Sequence, residues 1–339
     1  MQQSRTDWVD YAKGISIILV VMMHSTLSTE EALHQVGWLH EVVAFAKPFR
    51  IPAFFMVAGL FASRAIGADW RSFLDRKILH FAYFYLLWLA IQFAFRTPGY
   101  MAEGGVANVV HQYLLALIDP FGTLWFIYML PVFFLVARLT RNVPPVLMLL
   151  IGAALEIAPI DTHWTLIDEF AGRFVYFYAG YLFGARILDA AKKIDGHELA
   201  AFAAVLCWAA LNLWLVKHDL DGAMFISLGL GFAGAAAVVI VSVLLTRHHW
   251  FEFIRYCGRN SIVIYLAFFL PMAVTRTVLA KLGWISDPGT ASAIVTLVAV
   301  IVPLILHWLV RGTAVNFLFE RPERFRLIKR RPAAMQPAE

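Results

Sequence analysis

A lysine and a histidine share one face of an apolar stretch near the start of the chain. The segment YAKGISIILVVMMHS, residues 11–25, holds Lys13 and His24 with ten residues between them. In an α-helix this spacing places the two side chains roughly 20° apart around the axis and roughly 16 Å apart along it. Asp10 and Ser16 fall on the same face. Histidine can act as a general base near neutral pH, and lysine can bind an anion. The spacing therefore predicts a polar stripe that joins a charged end to a deeper imidazole.

The composition indicates that the elements holding this stripe lie in a membrane. Of the 339 residues, 61% are hydrophobic and 15% are charged, and the mean hydropathy is +0.71. A helix that spans a bilayer needs about 20 mostly apolar residues. The sequence therefore predicts an all-α, polytopic membrane helical bundle of about ten transmembrane helices. The predicted spans are residues 10–28, 49–67, 77–96, 122–140, 144–160, 172–189, 199–217, 223–246, 259–281 and 289–311.

The basic residues predict the orientation of this bundle. With the N-terminus inside, 21 of the 28 lysines and arginines fall on the cytoplasmic side and 7 on the other side. Because basic residues accumulate in cytoplasmic loops, this division predicts an even number of spans with both termini in the cytoplasm. The net charge of +5 then reflects membrane orientation rather than nucleic-acid binding. We expect residues 1–320 to form the transmembrane domain and residues 321–339 a basic cytoplasmic tail.

Two interpretations of the polar stripe stay open from spacing alone. An ionisable side chain at membrane depth costs roughly 2.5–3.5 kcal/mol on insertion scales, and such residues usually face the bundle interior or a water-filled cavity. This favours a functional site. Alternatively, Lys13 extends to the lipid headgroups and His24 hydrogen-bonds to a neighbouring helix. The two cysteines, Cys207 and Cys257, offer neither a disulfide framework nor a metal-spaced pair, and we expect no metal site.

Six segments, in order along nearly the whole chain, resemble one known protein family. The first, DYAKGISIILVVMMH, has the pattern of an arginine or lysine, ten intervening residues and a histidine, and it is similar to the first helix of the acyltransferase family 3 membrane proteins. The chain most resembles the small, ten-span members without an appended soluble domain. The other segments are FRIPAFFMVAGLF (49–61), RSFLDRKILHFAYFYLLW (71–88), GTLWFIYMLPVFF (122–134), RFVYFYAGYLFG (173–184) and YCGRNSIVIYL (256–266).

The resemblance implies a membrane-embedded O-acyltransferase of the bacterial inner membrane. Such an enzyme would move an acetyl group from cytoplasmic acetyl-CoA to a hydroxyl of a carbohydrate or glycolipid of the cell envelope. His24 would be the general base, and Lys13 would be the donor-side cation at a position where the family usually has arginine. We expect the phosphates of coenzyme A to bind Lys13, Arg76, Lys77 and Arg71, and one continuous cavity to join Lys13 to His24.

Further side chains are candidates for substrate binding, each with a simpler alternative. Arg50 could hold an anionic acceptor or polarise the thioester, or it could anchor a helix at the interface. Trp125 and Tyr128 could stack on a sugar, or they could belong to an aromatic belt. Ser261 and Tyr265 lie one helical turn apart and could contact substrate or only pack. The residues we assign to substrate binding are Asp10, Arg50, Trp125, Tyr128, Ser261 and Tyr265.

A second class of function uses the same polar stripe. In a transporter or flippase for an envelope metabolite, the stripe would be a permeation path, and no covalent bond would form. Such proteins often carry glycine or proline interruptions at corresponding places in two halves of the chain. The sequence contains no such corresponding pair, which favours the enzyme.

Overall fold

The fold is almost entirely helical. The computed structural model describes residues 7–248 and 250–328. About 80% of the described residues are helical, and none of them lies in a β-strand, which confirms the predicted all-α class. The α-helices are α1 (Asp7–Leu33), α2 (Leu39–Ala46), α3 (Arg50–Gly59), α4 (Ala62–Ile66), α5 (Trp70–Phe73), α6 (His80–Ala116), α7 (Trp125–Leu139), α8 (Pro145–Ile157), α9 (Thr165–Lys193), α10 (Glu198–Lys217), α11 (Ile226–His248), α12 (Glu252–Arg259), α13 (Ser261–Ala267), α14 (Phe269–Leu282) and α15 (Pro288–Val310). A π-helix (Leu74–Leu79) joins α5 to α6, and two short 3-10 helices (Ala314–Leu318 and Glu323–Phe325) follow α15.

The described helices support five to seven membrane spans. Five are long and apolar enough to cross a bilayer: α1, the continuous segment Trp70–Ala116, α10, α11 and α15. Two more follow if the bent pairs α2–α3 and α13–α14 each cross once. Helices α7 and α8, with 15 and 13 residues, are shorter than the about 20 residues that a span needs. The ten spans and the cytoplasmic termini therefore stay predictions.

Helix α1, which carries the polar stripe, lies in the middle of the bundle. It packs against α2, α3, α11, α12, α13, α14 and α15. Its closest approach is to α12, where a Cβ atom on Gly14 would lie 1.9 Å from the carbonyl oxygen of Ile254. A Cβ atom on Gly258 would lie 1.6 Å from the carbonyl oxygen of Asp10. Because small residues let helix backbones come this close, the two glycines fix the position of Lys13 relative to α12 and α13.

Two bends bring helix ends into the bundle. Helices α2 and α3 meet at 46°, and α13 and α14 meet at 52°. Helix α3 then packs closely on α9, where Gly59 leaves room for the carbonyl oxygen of Phe177 and Gly180 leaves room for that of Met56. Irregular backbone at membrane depth is tolerated where it is buried in protein or lines a cavity. One helix of each pair, α3 and α13, lines the cavities described below.

The chain folds back after α15. The carbonyl oxygens of Phe317 and Leu318 accept hydrogen bonds from the Tyr83 hydroxyl and the Trp88 indole, both at 3.0 Å. Tyr83 and Trp88 belong to α6. The first part of the predicted tail, residues 321–328, also packs against the π-helix before α6, where Arg321 forms a buried ion pair with Asp75. The remainder of the predicted tail, residues 329–339, lies outside the described residues.

Candidate functional site

Four of the predicted site residues line one cavity. This cavity, called the lysine cavity below, has a volume of about 220 Å³. Its polar side chains are Lys13, Lys77, Ser261 and Tyr265, and its walls carry no carboxylate. Two ammonium groups in a mostly apolar cavity suit a ligand that combines a negative charge with an apolar body. The apolar lining residues are Phe54, Val57, Ala58, Phe81, Phe126, Ile127, Leu130, Phe134 and Ile262.

Lys77 reaches this cavity from an unusual helical turn. It lies in the π-helix, and its Nζ atom is 4.2 Å from the centroid of the Phe134 ring. An ammonium over an aromatic face is stabilised by the ring quadrupole. Single π-turns within helices frequently occur at functional sites. Arg76 and Arg71 are exposed, and Arg71 donates a hydrogen bond to the carbonyl oxygen of Leu327 at 3.0 Å; neither arginine lines the lysine cavity.

His24 lines a second, much smaller pocket, called the histidine pocket below. Its volume of about 10 Å³ is close to the room that one water molecule needs. The His24 ring is half-buried, and its centroid is 5.6 Å from that of Phe268. The hydroxyl of Thr123, which also lines the pocket, donates to Oε1 of Gln92 at 3.4 Å. The other lining residues are Val20, Met23, Ile51, Phe54, Trp125, Phe126 and Tyr265.

An aromatic wall separates the two spaces. Phe54, Phe126 and Tyr265 line both the lysine cavity and the histidine pocket. The rings of Phe54 and Phe126 are stacked, with centroids 4.5 Å apart and an interplanar angle of 14°. The single continuous cavity expected between Lys13 and His24 is therefore divided in this structure. The spacing along α1 predicted a shared direction, but it contained no information about side chains contributed by α3 and α7.

Tyr265 supports this wall through its hydroxyl group. The hydroxyl donates to the carbonyl oxygen of Thr123 and accepts from the backbone N–H of Ile127 at 3.2 Å. The two bonds hold the backbone just before α7 and in its first turn, which carries Trp125 and Phe126. The Tyr265 side chain is buried. It lines both spaces, and its hydroxyl is hydrogen-bonded to the backbone.

A third space lies on the other side of the histidine pocket. This outer cavity, of about 330 Å³, shares Trp125 with the histidine pocket. Asp119 in its wall accepts a hydrogen bond from the backbone N–H of Thr165 at 3.1 Å. The cavity mixes aromatic, amide and carboxylate side chains. Its lining residues are Tyr100, Gln112, Leu115, Ala116, Asp119, Pro120, Phe121, Gly122, Trp125 and Thr165.

Most residues of the outer cavity were not predicted from the sequence. Residues 100–121 lie between two predicted spans, and no spacing pattern there indicates a site. One local signal exists at Gly122, which has a φ of +63° and would place a Cβ atom 2.9 Å from an Nη atom of Arg96. The guanidinium of Arg96 lies over the ring of Phe121, 4.6 Å from its centroid. Glycine adopts this backbone conformation readily, and a side chain here would require the Arg96 guanidinium to move.

The remaining predicted residues lie outside the three cavities. Arg50 donates to the carbonyl oxygen of Val43 at 3.1 Å across the α2–α3 bend. The Tyr128 hydroxyl donates to the carbonyl oxygen of Ile118 at 3.5 Å. Asp10 is buried and accepts from Nε of Arg259 at 3.1 Å, which ties α1 to the end of α12. Their predicted contacts with substrate stay predictions.

Comparison with known proteins identifies the family. A profile described as an acyltransferase domain, that of the acyltransferase family 3, matches residues 6–308. The chain belongs to acyltransferase family 3. Its relatives include the inner membrane protein YcfT of Escherichia coli strain K12, 24% identical over 238 residues, and the nodulation protein NolL of Sinorhizobium fredii, 25% identical over 259 residues. No solved structure matches the chain.

The relatives are matched over about two thirds of their length. The aligned part is 63% of this chain and 66% of YcfT, just under two thirds of that protein, and 71% of this chain and 68% of NolL. The family and the apolar helices make the chain an integral membrane protein of an acyltransferase family. The reaction, the acyl donor and the acceptor of this chain are proposals.

Proposed function

We propose that the protein moves an acetyl group from cytoplasmic acetyl-CoA to a hydroxyl of a carbohydrate or glycolipid on the other side of the bacterial inner membrane. One observation carries this proposal. The lysine cavity, the histidine pocket and the outer cavity follow one another, and each shares wall residues with the next. A histidine between a cationic cavity and a separate polar cavity is the arrangement that transfer between two different substrates requires.

The lysine cavity is the proposed donor site. Coenzyme A carries several phosphates, and Lys13 and Lys77 supply two positive charges at this cavity. Its phenylalanine-rich walls suit the less polar pantetheine arm and the acetyl group. The basic-residue count in the sequence supports a cytoplasmic position for this end of α1. The donor would therefore enter from the side on which the cell keeps acetyl-CoA.

His24 is the proposed general base. Its imidazole would take the proton from the acceptor hydroxyl as the oxygen attacks the thioester carbonyl. The carbon–sulfur bond then breaks, and the departing thiolate takes up the proton from the imidazolium. The products are an O-acetyl ester and free coenzyme A, so the proton and the acyl group balance without a further reactant. This step requires the stacked rings of Phe54 and Phe126 to part, because they separate the two spaces.

The outer cavity is the proposed acceptor site. Sugars present hydroxyl groups around the ring edge and apolar C–H faces, and they suit a site that combines aromatic and polar side chains. The indole of Trp125 borders both this cavity and the histidine pocket. In the same cavity, Asp119 can accept hydrogen bonds from hydroxyl groups, and Gln112 can both accept and donate them. A hydroxyl bound beside Trp125 would lie next to His24.

A transfer assay with two matched variants tests the proposal. Purified protein in lipid nanodiscs is incubated with labelled acetyl-CoA and glycan or lipid extracts, and label in the acceptor fraction is measured. His24→Ala should lower turnover roughly 10²- to 10⁴-fold, which is the usual contribution of a general base. Met23→Ala, which changes the same pocket without removing a base, should stay within about tenfold of the wild type. Equal transfer by the wild type and His24→Ala would reject the role of His24.

A transporter is the second candidate, and the bent helix pairs favour it. The binding sites of many secondary transporters are formed by discontinuous helices. The pairs α2–α3 and α13–α14 of this chain are also bent and interrupted. The same row of cavities would then be a permeation path. Uptake of labelled glycan precursors into proteoliposomes without acetyl-CoA separates the candidates. The enzyme predicts no uptake above that of empty liposomes, whereas a transporter predicts uptake that does not depend on coenzyme A.

A further inference from the structure

The segment after α15 holds the helical turn that carries Lys77. This segment, residues 313–328, is called the C-terminal strap below. Its backbone accepts hydrogen bonds from Tyr83, Trp88 and Arg71, which lie on both sides of the π-helix. The ring of Phe319 in the strap lies 5.8 Å from that of Trp88, measured between centroids. The strap therefore follows the start of the third predicted span over about five helical turns.

A buried ion pair forms the centre of this contact. Nη2 of Arg321 donates to Oδ1 of Asp75 at 2.7 Å, and the backbone N–H of Leu327 donates to the same oxygen at 2.8 Å. The exposed fraction of each side chain is close to 5%. Nε and Nη1 of Arg321 are also buried and have no hydrogen-bond partner among the described residues. Burying a charged pair with unsatisfied N–H groups costs free energy, so stability alone is a weak explanation for it.

The carboxylate of the ion pair, Asp75, lies in the same π-helix as Lys77. Asp75 and Lys77 are two residues apart, so they point to nearly opposite sides of the helix, about 200° apart in regular geometry. Asp75 faces the strap, and Lys77 faces the lysine cavity. A π-turn contains one residue more than an α-turn. Relaxation to an α-helix would rotate one side of the turn against the other by about 100° and swing Lys77 away from the cavity.

We propose that Arg321 is a positioning residue that, through Asp75, keeps the π-turn in place and Lys77 in the lysine cavity. This inference rests on the proposed function, in which Lys77 binds the coenzyme A phosphates. Arg321 acts from a segment that, in sequence, is nearly 250 residues away from the turn. It contributes to donor binding without touching the donor.

A double-mutant cycle on donor binding tests this role. The dissociation constant of acetyl-CoA is measured by titration calorimetry for the wild type, Lys77→Gln, Arg321→Gln and the double variant. If Arg321 acts through Lys77, each single variant should weaken binding about tenfold, and the double variant should bind as Lys77→Gln does. A merely structural role predicts that the two effects add. Arg324→Gln is the matched control, because it removes the same charge from an exposed strap residue; it should bind like the wild type.

Two further measurements keep the inference testable when a variant is unstable or the donor does not bind. Arg321→Lys keeps a charge for Asp75 and should bind acetyl-CoA within about threefold of the wild type. The position of the turn is measured without any donor as the rate at which a water-soluble thiol reagent labels Lys77→Cys, in a Cys207→Ser background. Adding Asp75→Asn should lower this rate at least tenfold.

The outcomes separate this inference from the proposed function. Failure of the wild type to bind acetyl-CoA would reject the proposed donor, while the labelling rate would still report on the turn. Normal donor binding with an additive cycle would reject the positioning role of Arg321 alone. Equal labelling of Lys77→Cys with and without Asp75→Asn would also reject it.

Discussion

Replacing Gly258 with alanine should disturb the lysine cavity through the backbone. The added Cβ atom would lie 1.6 Å from the carbonyl oxygen of Asp10, whereas non-bonded heavy atoms normally stay about 3.5 Å apart. Helices α1 and α12 must therefore separate by on the order of 2 Å. Overpacking of this kind costs about 1–3 kcal/mol. Because α1 carries Lys13 and His24, a misplacement of about 1 Å is enough to lower turnover on the order of 10²-fold.

The assay compares acetyl transfer by this variant with transfer by Gly229→Ala. Gly229 lies in α11, and a Cβ atom there would meet no heavy atom within 4 Å. Both changes add one methyl group to a helix of the bundle. Protein yield and thermal unfolding, measured for both variants, distinguish a loss of folded protein from a displacement of Lys13 and His24 in protein that still folds. We expect Gly229→Ala to match the wild type. Undiminished turnover by Gly258→Ala would show that the close crossing of α1 and α12 does not position the site.

Three more predictions address the donor, the acceptor and the topology. Lys13→Ala should raise the KM for acetyl-CoA about tenfold and change the KM for the acceptor little, whereas Lys13→Arg should stay close to the wild type. Equal KM values for acetyl-CoA in the wild type and Lys13→Ala would remove Lys13 from the donor site. Trp125→Ala should raise acceptor KM at least tenfold without changing the dissociation constant of acetyl-CoA, and an effect on donor binding alone would contradict the acceptor site. Reporter fusions at residue 195 and at the C-terminus should report cytoplasm and a fusion at residue 219 the opposite side; an external C-terminus would overturn the predicted orientation.

The features encoded by local spacing could be predicted from the sequence. Helical periodicity placed Lys13 and His24 on one side of α1, and both side chains line internal spaces of the bundle. Lys77 was predicted to bind coenzyme A together with Arg76 and Arg71, which are near it in the sequence, and it does line a cavity with Lys13. Its neighbour Arg76 is exposed because adjacent residues on a helix point in different directions. Charge clustering predicted the region but not which side chain points inward.

The features that depend on distant contacts could not be predicted in this way. The aromatic wall needs Phe54 and Phe126, which come from α3 and α7 and meet only in the folded bundle. The ion pair of Asp75 with Arg321 joins residues that are nearly 250 positions apart in the sequence, and Arg321 was assigned to a tail. The bend at Phe268 interrupts the predicted span 259–281, and the predicted span 49–67 is divided between α3 and α4. Such contacts are set by the tertiary arrangement rather than by local propensity.

Transfer across a sealed membrane tests the central claim most directly. Proteoliposomes are prepared with the acceptor glycan enclosed, and labelled acetyl-CoA is added only outside. The proposed arrangement of cavities predicts that labelled ester accumulates on the enclosed glycan, that free coenzyme A appears outside, and that His24→Ala abolishes both while Met23→Ala does not. Absence of label on the enclosed glycan, when glycan added outside in a parallel sample is labelled, would contradict a histidine that joins two opposite substrate sites. Transfer that His24→Ala leaves unchanged would contradict it as well.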